Sequence, residues 1–491
     1  MLDVLVIGAG PVGLTLAAEL ARFGLSTRII DKAAQPTATS KALVIWSRTL
    51  ELMDRMGCTQ AFLDAGLPCH GASIRGGSEL LGHTRLDSIP SEYNFALMIP
   101  QRDTERLMTA QLGRFGITVA RETELVSFTE QDGGVLAELH HADGQVETVT
   151  SRWLVGCDGA HSTVRHGLGL PFDGAPEPDD WVLADVALEG PHAPPSDEIS
   201  LYLHRDGFFI LFPMPGPRFR VVATIGRAKP DQTPPDPTLA SVQALIDQRA
   251  GGGFTAIDPQ WLANFRVHER KVRDYRQGRV FVAGDAAHIH SPAGGQGMNT
   301  GMQDAINLAW KLALVVQGAA GTHLLDSYSV ERSAVGDIVL RNAGRMTDMA
   351  TLTNPAAQAL RNTVMHFALG LHTVQAFMAR QMSEVEIGYA HSPISVGRAQ
   401  GFKGGERLPP PLYDGSPPGG DQTPRFILYA ADKARGARLV AGFPHLLAGE
   451  PRQPPNEAAL LIVRPDGYVG FAGKADDWVG AQAYMAGLLS R

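Results

Sequence analysis

The sequence predicts an α/β fold with an inserted antiparallel sheet, a helical segment and a smaller C-terminal domain. Three observations carry this prediction. A strand, a glycine turn, a helix and a second strand follow one another within residues 2–31; alternating runs separated by Asp-Gly turns fill the middle; helical spacing dominates from 298 to 390. A chain of 491 residues is long enough for two to four domains.

The N-terminal segment predicts a βαβ unit. Residues 2–7 (LDVLVI) are a short, β-branched apolar run typical of a buried strand, and GAGPVG follows at 8–13. Residues 11–24 carry helical spacing, and 27–31 (TRIID) predict a second strand. With a right-handed crossover this is a Rossmann-like unit, and residues 46–57 predict a further helix.

The middle of the chain predicts antiparallel strands. Asp132-Gly133-Gly134 and Asp143-Gly144 are hairpin signals between alternating runs, and Pro-rich stretches bracket the later runs. The predicted strands are 119–129, 134–141, 145–150, 152–156, 181–189, 199–204, 207–213 and 219–226. The last four of these predict an antiparallel sheet inserted into the α/β part.

The C-terminal third is predicted to be helical first and mixed afterwards. A strand at 279–283 leads into Gly284-Asp285, and a Pro/Gly-rich linker at 405–420 precedes a smaller tail. Helices are predicted at about 298–317, 323–346, 356–390 and 477–490.

The composition disfavours several classes of function. Hydrophobic residues make up 44% and charged residues 19%, and 43 basic against 51 acidic residues give a net charge of −8. This charge argues against a nucleic-acid partner. We expect no membrane span, because no uninterrupted apolar stretch approaches about 20 residues. We expect no signal peptide, because the N-terminus has no basic segment and Asp3 interrupts its apolar run. Cys58, Cys69 and Cys157 show no disulfide or metal-ligand spacing, so we expect no metal and a cytoplasmic location.

The first chemical motif is Gly8-x-Gly10-x-x-Gly13, between a predicted strand and a predicted helix. Glycines there allow a tight turn, close approach of a pyrophosphate and close helix packing, and the helix N-terminus offers free N–H groups. Asp31 ends the next strand, where an acid binds ribose hydroxyls. The motif predicts dinucleotide binding without distinguishing FAD from NAD(P); a plain glycine-rich turn is the alternative.

The second motif follows the strand that ends at Ala283. Gly284-Asp285 stands at the carboxyl end of that strand, where open α/β sheets bind ligands, and four glycines lie between 294 and 301. Bare backbone lies flat against a planar ligand, and a helix start near Met298 turns N–H groups toward an electron-rich edge. This arrangement suits a reduced flavin; a helix-capping loop is the alternative.

Three stretches together carry a family resemblance: GAGPVG (8–13), CDGAHSTVR (157–165) and GDAAHIHSPAGGQGMNTGMQD (284–304). Over about residues 1–345 the chain resembles class A flavoprotein aromatic hydroxylases, the para-hydroxybenzoate hydroxylase superfamily. The resemblance implies FAD, NAD(P)H as a transient co-substrate and O2, with oxygen passed from a flavin C4a-hydroperoxide to a small aromatic substrate. The tail is similar to the thioredoxin-like domain of the phenol and aromatic polyketide hydroxylase branch, but it has no redox cysteines.

The resemblance also implies a division of the chain and a set of site residues. The expected parts are an FAD-binding domain (1–70, 100–176 and 276–345), a substrate-binding domain (71–99 and 177–275), a helical linker region (346–404) and a thioredoxin-like domain (405–491). The cofactor-binding candidates are Gly8, Gly10, Pro11, Gly13, Asp31, Lys41, Gln101, Asp158, Gly159, His161, Arg165, Gly284, Asp285, Gly295, Gly297, Met298 and Asn299.

Some of these candidates have an ordinary alternative. Lys41 stands where the family often has Arg; lysine keeps the charge but loses the bidentate fork. Pro292, whose carbonyl is expected near flavin C4a, and His290 are the catalytic candidates, with local hydrogen bonding as the alternative for His290. Surface, turn or helix-start roles stay open for Lys41, Gln101, Asp158, His161 and Arg165.

Candidates for the substrate-binding wall are the aromatic and apolar residues in the run 199–226. The substrate-binding candidates are Tyr202, His204, Phe212 and Met214, and packing within the sheet is the alternative for each. Because side chains alternate along a strand, Tyr202, His204 and Phe212 are not all expected on one pocket wall with Phe208.

The function that the resemblance implies is hydroxylation of a phenolic or polyketide-like aromatic substrate by an FAD-dependent monooxygenase. A Baeyer–Villiger or epoxidising monooxygenase is the alternative within the superfamily. A nicotinamide-independent flavin oxidase, or a flavin-binding protein without turnover, is the alternative from another class. A homodimer is possible, with the helical region and the tail as candidate interfaces.

Overall fold

The computed structural model describes residues 1–39, 42–77, 79–228, 234–292, 294–350, 352 and 354–490. Its strands are β1 (Leu2–Ile7), β2 (Thr27–Ile30), β3 (Val44–Ile45), β4 (Leu67–Cys69), β5 (Gly71–Gly76), β6 (Glu79–Arg85), β7 (Ala96–Met98), β8 (Thr123–Gln131), β9 (Gly134–His141), β10 (Val146–Gly156), β11 (Asp173–Glu189), β12 (Glu198–His204), β13 (Gly207–Met214), β14 (Arg218–Arg227), β15 (Thr255–Lys271), β16 (Arg276–Gln277), β17 (Val280–Val282), β18 (His288–Ile289), β19 (Val396–Ala399), β20 (Phe402–Lys403), β21 (Ile427–Tyr429), β22 (Ala459–Val463) and β23 (Val469–Lys474). Its helices are α1 (Pro11–Arg22), α2 (Ser47–Asp54), α3 (Thr59–Ala65), α4 (Gln101–Gly113), α5 (Thr163–Gly167), α6 (Leu239–Arg249), α7 (Gly297–Val316), α8 (Asp326–Ala350), α9 (Pro355–Leu369), α10 (His372–Met382), α11 (Lys433–Gly442) and α12 (Trp478–Leu489).

The first sheet is the nucleotide-binding type of α/β sheet that the N-terminal pattern predicts. Its order is β16-β17-β10-β1-β2, and β8 and β9 extend it from β10. Strand β1 runs parallel to both β2 and β10, so the predicted βαβ unit is confirmed. Val4, Leu5 and Val6 have no exposed surface, as expected of a parallel strand covered on both faces. Helix α1 packs against α7, which brings the two glycine motifs to the same side.

The second sheet is the predicted inserted sheet. It has eight strands in the order β18-β15-β11-β14-β13-β12-β5-β6 and is antiparallel except where β12 meets β5. Along β13, odd-numbered Phe209 and Leu211 pack in the core under α6, while even-numbered Phe208, Ile210 and Phe212 face the other way. This alternation decides which side chains reach the first domain.

Two smaller sheets complete the fold. Strands β3, β7 and β4 form a three-stranded sheet between the two large ones. The tail has a five-stranded sheet, β20-β19-β23-β22-β21, with α11 and α12 beside it. Because β19 pairs with β23, residues 396–403 belong to the sheet of the tail, ahead of the predicted linker at 405–420.

Several elements differ from the sequence-based prediction. The two strands expected at 145–150 and 152–156 are one strand, β10, and the single helix expected at 356–390 is two helices, α9 and α10. Strand β15 was not predicted, since its seventeen residues are mostly polar and half-exposed, which leaves no clear alternation. Strand β18 pairs with β15, so residues 288–289 are the edge of the inserted sheet within the stretch expected to belong to the FAD-binding domain.

Candidate active site

One cavity lies between the β1–α1 turn, the loop before α7 and the inserted sheet. Its volume is about 580 Å³. Gly10 and Pro11 of the first glycine motif line it, and Gly295, Gly297 and Met298 of the second motif line it as well. Two stretches of chain separated by almost three hundred residues therefore share one cleft.

The glycines of the first motif are required by close backbone approach. Gly8 has φ +98°, and a Cβ there would lie 2.5 Å from the carbonyl oxygen of Cys157. A Cβ at Gly13 would lie 1.9 Å from the carbonyl oxygen of Gly8. At Gly10, by contrast, a Cβ would meet nothing within 4 Å, because this residue faces the open cavity. Two glycines thus close the turn, and the third leaves room for a ligand.

The second motif is packed against the first. Gly284 has φ +60°, and a Cβ on either Gly284 or Gly301 would lie 2.7 Å from Cγ2 of Val12. The bare backbone at these positions lets α7 approach α1 closely. The N-termini of both helices consequently open at the same cavity, and neither N-terminus is capped by a side chain of the described chain.

Asn299 holds the loop before α7. Its side chain accepts a hydrogen bond from the backbone N–H of Trp46 (2.8 Å) and donates to the carbonyl oxygens of Val44 and Gly295 (both 2.9 Å). The Trp46 ring N–H donates to the Gly294 carbonyl oxygen at 2.9 Å. The buried Asn299 side chain is thus committed to shaping the loop, which leaves its backbone N–H as the group for the predicted cofactor contact.

The adenosine-side candidates lie close to the glycine turn. Asp31 Oδ2 accepts the backbone N–H of Ala9 at 2.7 Å, so this carboxylate stabilises the turn. Gln101 begins α4 and lines the cavity, where it donates to Glu105 Oε1 at 2.9 Å. Lys41 lies outside the described residues.

The two residues of the Asp-Gly motif at 158–159 have different roles: Gly159 lines the cavity, and Asp158 stabilises its own loop. Gly159 and His161 line the cavity. Asp158 accepts from the Ser162 hydroxyl (2.5 Å) and the Val164 N–H (3.2 Å), which caps its own loop, and burial raises its pKa.

The Arg165 side chain binds two loop carbonyl oxygens and is not among the residues that line the cavity. It is buried, donates to the carbonyl oxygens of Ala160 (2.9 Å) and Ala286 (3.3 Å), and stacks on Phe172 at 4.0 Å. Its predicted place on the nicotinamide path has no support in these contacts.

His290 lines the cavity and has one ring nitrogen without a hydrogen-bond partner in the described chain. Its Nδ1 lies 2.9 Å from the carbonyl oxygen of Ser291, which only accepts, so Nδ1 carries the hydrogen. Its Nε2 is shut off from solvent and has no hydrogen-bond partner in the described chain. Burial and the neighbouring His288 lower the pKa of His290 to about 4. The ring is therefore neutral at pH 7, and His290 is one of the residues that line the cavity.

The neighbours of His290 complete the loop side. Pro292 lines the cavity, and its carbonyl oxygen accepts the Gly295 N–H at 3.0 Å within a turn. Asp285 is exposed and also lines the cavity, at the carboxyl end of β17 as predicted.

The opposite wall is an apolar sheet face. Phe208, Ile210 and Phe212 line the cavity from β13, Trp181 from β11 and Val222 from β14. Trp181 is fully buried and packs edge-on against Phe208 at 4.8 Å. A planar apolar molecule would lie between this face and the glycine-bared backbone.

Three predicted substrate residues are not on this wall. Tyr202 packs against Phe209 at 5.8 Å on the opposite sheet face, and His204, two residues on, accepts the N–H of Asp206 at 3.2 Å. Met214 is buried in the cluster around the small sheet. Of the four candidates only Phe212 lines the cavity. Strand alternation turns Tyr202 and His204 to the other face of the sheet, and Met214 packs in the cluster around the small sheet.

The same wall carries a cation from the run 199–226 that is not among the predicted substrate-binding candidates. Arg220 of β14 lines the cavity and is bound bidentately by Asp185 at 2.7 Å for both bonds. Its side chain is 1% exposed. A lone arginine within the apolar run FRVVAT is the signal that could have found it, since a buried charge needs a partner or a ligand.

The residues present fit an extended dinucleotide cofactor. Glycines leave bare backbone at Gly10, Gly159, Gly295 and Gly297, and two uncapped helix N-termini face the cavity. Such N–H groups suit a pyrophosphate at α1 and an electron-rich ring edge at α7. Fold and site together define a dinucleotide-dependent oxidoreductase with room for an apolar substrate beside the cofactor.

Comparison with known proteins identifies the family. Residues 1–343 match the family described as FAD binding domain. The chain is 38% identical over 410 residues to 6-methylpretetramide 4-monooxygenase of Streptomyces rimosus, which covers 82% of this chain and 72% of that protein. It is 35% identical over 493 residues to the uncharacterized aromatic compound monooxygenase YhjG of Bacillus subtilis strain 168, with 96% and 94% covered.

A solved structure shows the same architecture. OxyS anhydrotetracycline hydroxylase from Streptomyces rimosus superposes with a TM-score of 0.81 at 29% identity and covers 100% of this chain and 99% of its own. The chain belongs to the FAD binding domain family and is an FAD-dependent monooxygenase that uses NAD(P)H and O2. The predicted fold class, cofactors and enzyme class are confirmed. Across the described residues, no helix is long and apolar enough to cross a bilayer.

Proposed function

We propose that this monooxygenase hydroxylates a phenolic, polyketide-like aromatic compound of several fused rings. The observation that carries the proposal is the pairing of two walls in one cavity: bare backbone at Gly10, Gly295 and Gly297, and an apolar sheet face that includes Phe212. FAD along the first wall leaves the space beside the second wall for a flat apolar substrate.

FAD, when bound, supplies the redox chemistry: it takes electrons from NAD(P)H and activates O2. The residues of this chain bind, orient and shield. Gly10 and Pro11 would accommodate the pyrophosphate at the start of α1, and the N–H groups of Met298 and Asn299 would face the flavin edge. Trp181 and its neighbours on the sheet would keep water away from the reacting carbon.

His290 is the proposed proton acceptor. A phenol reacts with electrophilic oxygen more readily as its proton moves away, and the neutral Nε2 of His290 is an acceptor without another partner in the described chain. The buried Arg220 on the facing wall would hold the negative charge that develops on the substrate oxygen. His290 and Arg220 are the two polar groups that we propose act on the substrate oxygen.

The known relatives support this substrate class. Two of them, both of Streptomyces rimosus, are named 6-methylpretetramide 4-monooxygenase and anhydrotetracycline monooxygenase. Another is named pentachlorophenol 4-monooxygenase, from Sphingobium chlorophenolicum. We therefore propose a fused-ring phenol as the preferred substrate class and a single-ring phenol as the alternative.

The test uses the FAD-loaded protein with NADPH or NADH, isotopically labelled O2 and either a tetracyclic phenol or a single-ring phenol. We expect the tetracyclic phenol to accelerate NAD(P)H oxidation and to gain one labelled oxygen atom on an aromatic carbon. A lactone or an epoxide as product would favour the Baeyer–Villiger or epoxidising alternative. A flavin that stays oxidised under anaerobic NAD(P)H would favour the nicotinamide-independent oxidase.

The cytoplasmic location and the homodimer are also proposals. Dependence on NAD(P)H and three free, buried cysteines support a reducing compartment. A second copy of the chain is proposed to cover the large apolar side chains that stand exposed on α9, α10 and the turn between them: Leu360, Val364, Phe367, Leu371 and Phe377. Monomeric surfaces expose such side chains singly rather than in a row. Light scattering should show a dimer for the wild type and a monomer for Phe367→Glu; a wild-type monomer would refute the proposal.

A further inference from the structure

The turn between β22 and β23 reaches out of the tail into the FAD-binding part. This turn, Arg464–Gly467 (RPDG), reads in sequence as an ordinary hairpin turn. In the structure Arg464 is 0% exposed and Asp466 is 3% exposed, which is rare for charged residues in a turn. The two side chains are joined by hydrogen bonds of 3.0 and 2.6 Å.

The turn binds helix α8 through Glu331. Arg464 donates to both carboxylate oxygens of Glu331, at 2.6 and 2.9 Å. Lys311 of α7 donates to the same carboxylate at 2.7 Å. Burial alone would raise the pKa of Glu331, but Arg464 and Lys311 hold that pKa below its ordinary value. A cation from the tail and a cation from α7 therefore share one fully buried anion.

The turn also binds α7 directly. Asp466 Oδ2 accepts the ring N–H of Trp310 at 3.2 Å, and Arg48 of α2 donates to the Asp466 carbonyl oxygen at 2.7 Å. Asn307 of α7 donates to Glu331 at 2.7 Å. Trp310 thus fixes the middle of α7 to the tail directly, and Lys311 and Asn307 fix it to Glu331, the carboxylate that Arg464 binds.

A second contact holds the first turns of the same helix. Arg332 follows Glu331 on α8; it donates to the Thr300 carbonyl oxygen at 2.9 Å and to Asp304 at 2.5 Å. Arg332 also donates to the hydroxyl of Tyr389 at 3.0 Å, and the Tyr389 ring lies 4.4 Å from that of Tyr468 in the tail. Glu331 and Arg332 of α8 therefore hold α7 at its middle and at its first turns. Glu331 contacts Arg464 of the tail directly, and Arg332 contacts the tail through Tyr389.

We infer that the Arg464–Asp466 turn is a positioning element for α7, and through α7 for the N–H groups at Gly297–Asn299. The inference rests on the proposed role of that helix start at the flavin. A helix is stiff along its axis, so displacement at Asn307 is transmitted over about 12 Å to Asn299. The tail is then an integral part of the oxygenase, and its lack of cysteines is consistent with a mechanical rather than a redox role.

The charges give the reason why the turn must stay in place. Removal of Arg464 leaves Glu331 and Asp466 buried with one cation, Lys311, within reach of Glu331. A buried anion that loses its partner draws in water or moves toward another partner. Either response shifts α8 relative to α7 at this level, because Glu331 is one of the two residues through which α8 holds α7.

The test compares Arg464→Met with a matched control, Arg452→Met. Arg452 also lies in the tail and donates to the Tyr413 and Ser416 carbonyl oxygens at 2.8 and 2.6 Å, so its contacts stay within the tail. Amide hydrogen exchange is measured on the FAD-loaded proteins, and the FAD dissociation constant on the apoproteins. We expect Arg464→Met to raise exchange at residues 297–303 and the FAD dissociation constant at least tenfold, and Arg452→Met to change both less than twofold.

The outcomes separate this inference from the proposed function. Faster exchange confined to the tail and α8 in Arg464→Met would overturn the inference. Faster exchange at 297–303 with an unchanged FAD dissociation constant would keep the positioning role and refute the flavin-facing role of that helix start. If Arg464→Met does not fold, Asp466→Asn takes its place, because asparagine keeps the shape of the side chain and removes only its charge. We then expect the amide exchange rate at residues 297–303 to rise about threefold, and an unchanged rate there would overturn the inference.

Discussion

The two halves of the cavity are built in different ways. The half that is proposed to face the flavin is main chain from two short, continuous glycine stretches, at Gly8–Gly13 and Gly294–Gly301. The half that is proposed to face the substrate is made of side chains from β11, β13 and β14, at alternate positions spread from Trp181 to Val222. A site built from main chain can be recognised in the sequence by a local glycine pattern. A site built from strand side chains depends on sheet register, so no local sequence pattern identifies it.

This difference predicts how substitutions divide. Changes in the glycine stretches should act on FAD binding whatever the substrate. Changes on the sheet should act on substrate binding and leave the flavin in place. His290 lies where the two halves meet, so its replacement should affect the reaction more than either binding step.

The largest effect is expected for Gly13→Ala. The new methyl group would lie 1.9 Å from the Gly8 carbonyl oxygen, which is backbone and has no room to move. We expect protein without bound flavin, and an FAD dissociation constant raised about 100-fold or more. Flavin absorbance of the purified protein measures it. Gly113→Ala, where a Cβ meets nothing within 4 Å, is the control and should retain full flavin; equal flavin content in both variants would break the comparison.

His290→Gln should lower kcat about 100-fold with little change in KM or in flavin content. Glutamine keeps a hydrogen-bond acceptor near Nε2 but has no basic nitrogen to take a proton. Steady-state kinetics with a saturating phenol measures the loss. His204→Gln serves as control, because His204 lies on the sheet face away from the cavity and should retain wild-type kcat. An active His290→Gln enzyme would remove His290 from the chemistry.

Phe212→Leu sharpens the substrate side of the comparison. Loss of the ring from the cavity wall should raise KM for the aromatic substrate about tenfold, which is ~1.4 kcal/mol, with unchanged FAD affinity. Phe209→Leu is the matched variant three residues earlier on β13, with its side chain in the core under α6. It should lower the melting temperature and leave KM unchanged. The same KM for both variants would mean that the cavity wall does not bind substrate.

The smallest effect is a pH dependence of stability. His290 has a pKa of about 4, below the ordinary 6.5, so the unfolded chain binds this proton first as pH falls. The contribution of neutral His290 to the free energy of unfolding is fully present above pH 6.5 and is lost as the pH falls from 6.5 to 4. We expect the melting temperature of the wild type to fall further than that of His290→Gln between pH 7 and pH 4.5. Parallel curves for the two proteins would show that His290 is not protected from protonation.

The sequence predicted the parts that short patterns specify. The strand at 2–7, the helix that begins at Pro11 and the strand at 207–213 were predicted within a few residues, because each has unbroken periodicity. Strand β15 was missed, and α9 and α10 were merged, because Gly370-Leu371 gives only a weak break within a long helical pattern.

The candidate site follows the same division. Gly10, Gly297 and Met298 were selected from local motifs and line the cavity. Tyr202 was selected by residue type and lies on the wrong face, while Arg220 lies on the cavity wall and was not selected. Residue type marks what a side chain can do, but the face of a strand it occupies is set by pairing with distant strands.

The most direct test of this account is amide hydrogen exchange on the apoprotein as FAD is added. We predict that residues 8–13 and 294–301 become protected together, in proportion to bound flavin, and that both reach their plateau at one FAD per chain. Protection of only one of the two stretches, or protection of each at a different FAD concentration, would contradict a shared flavin site.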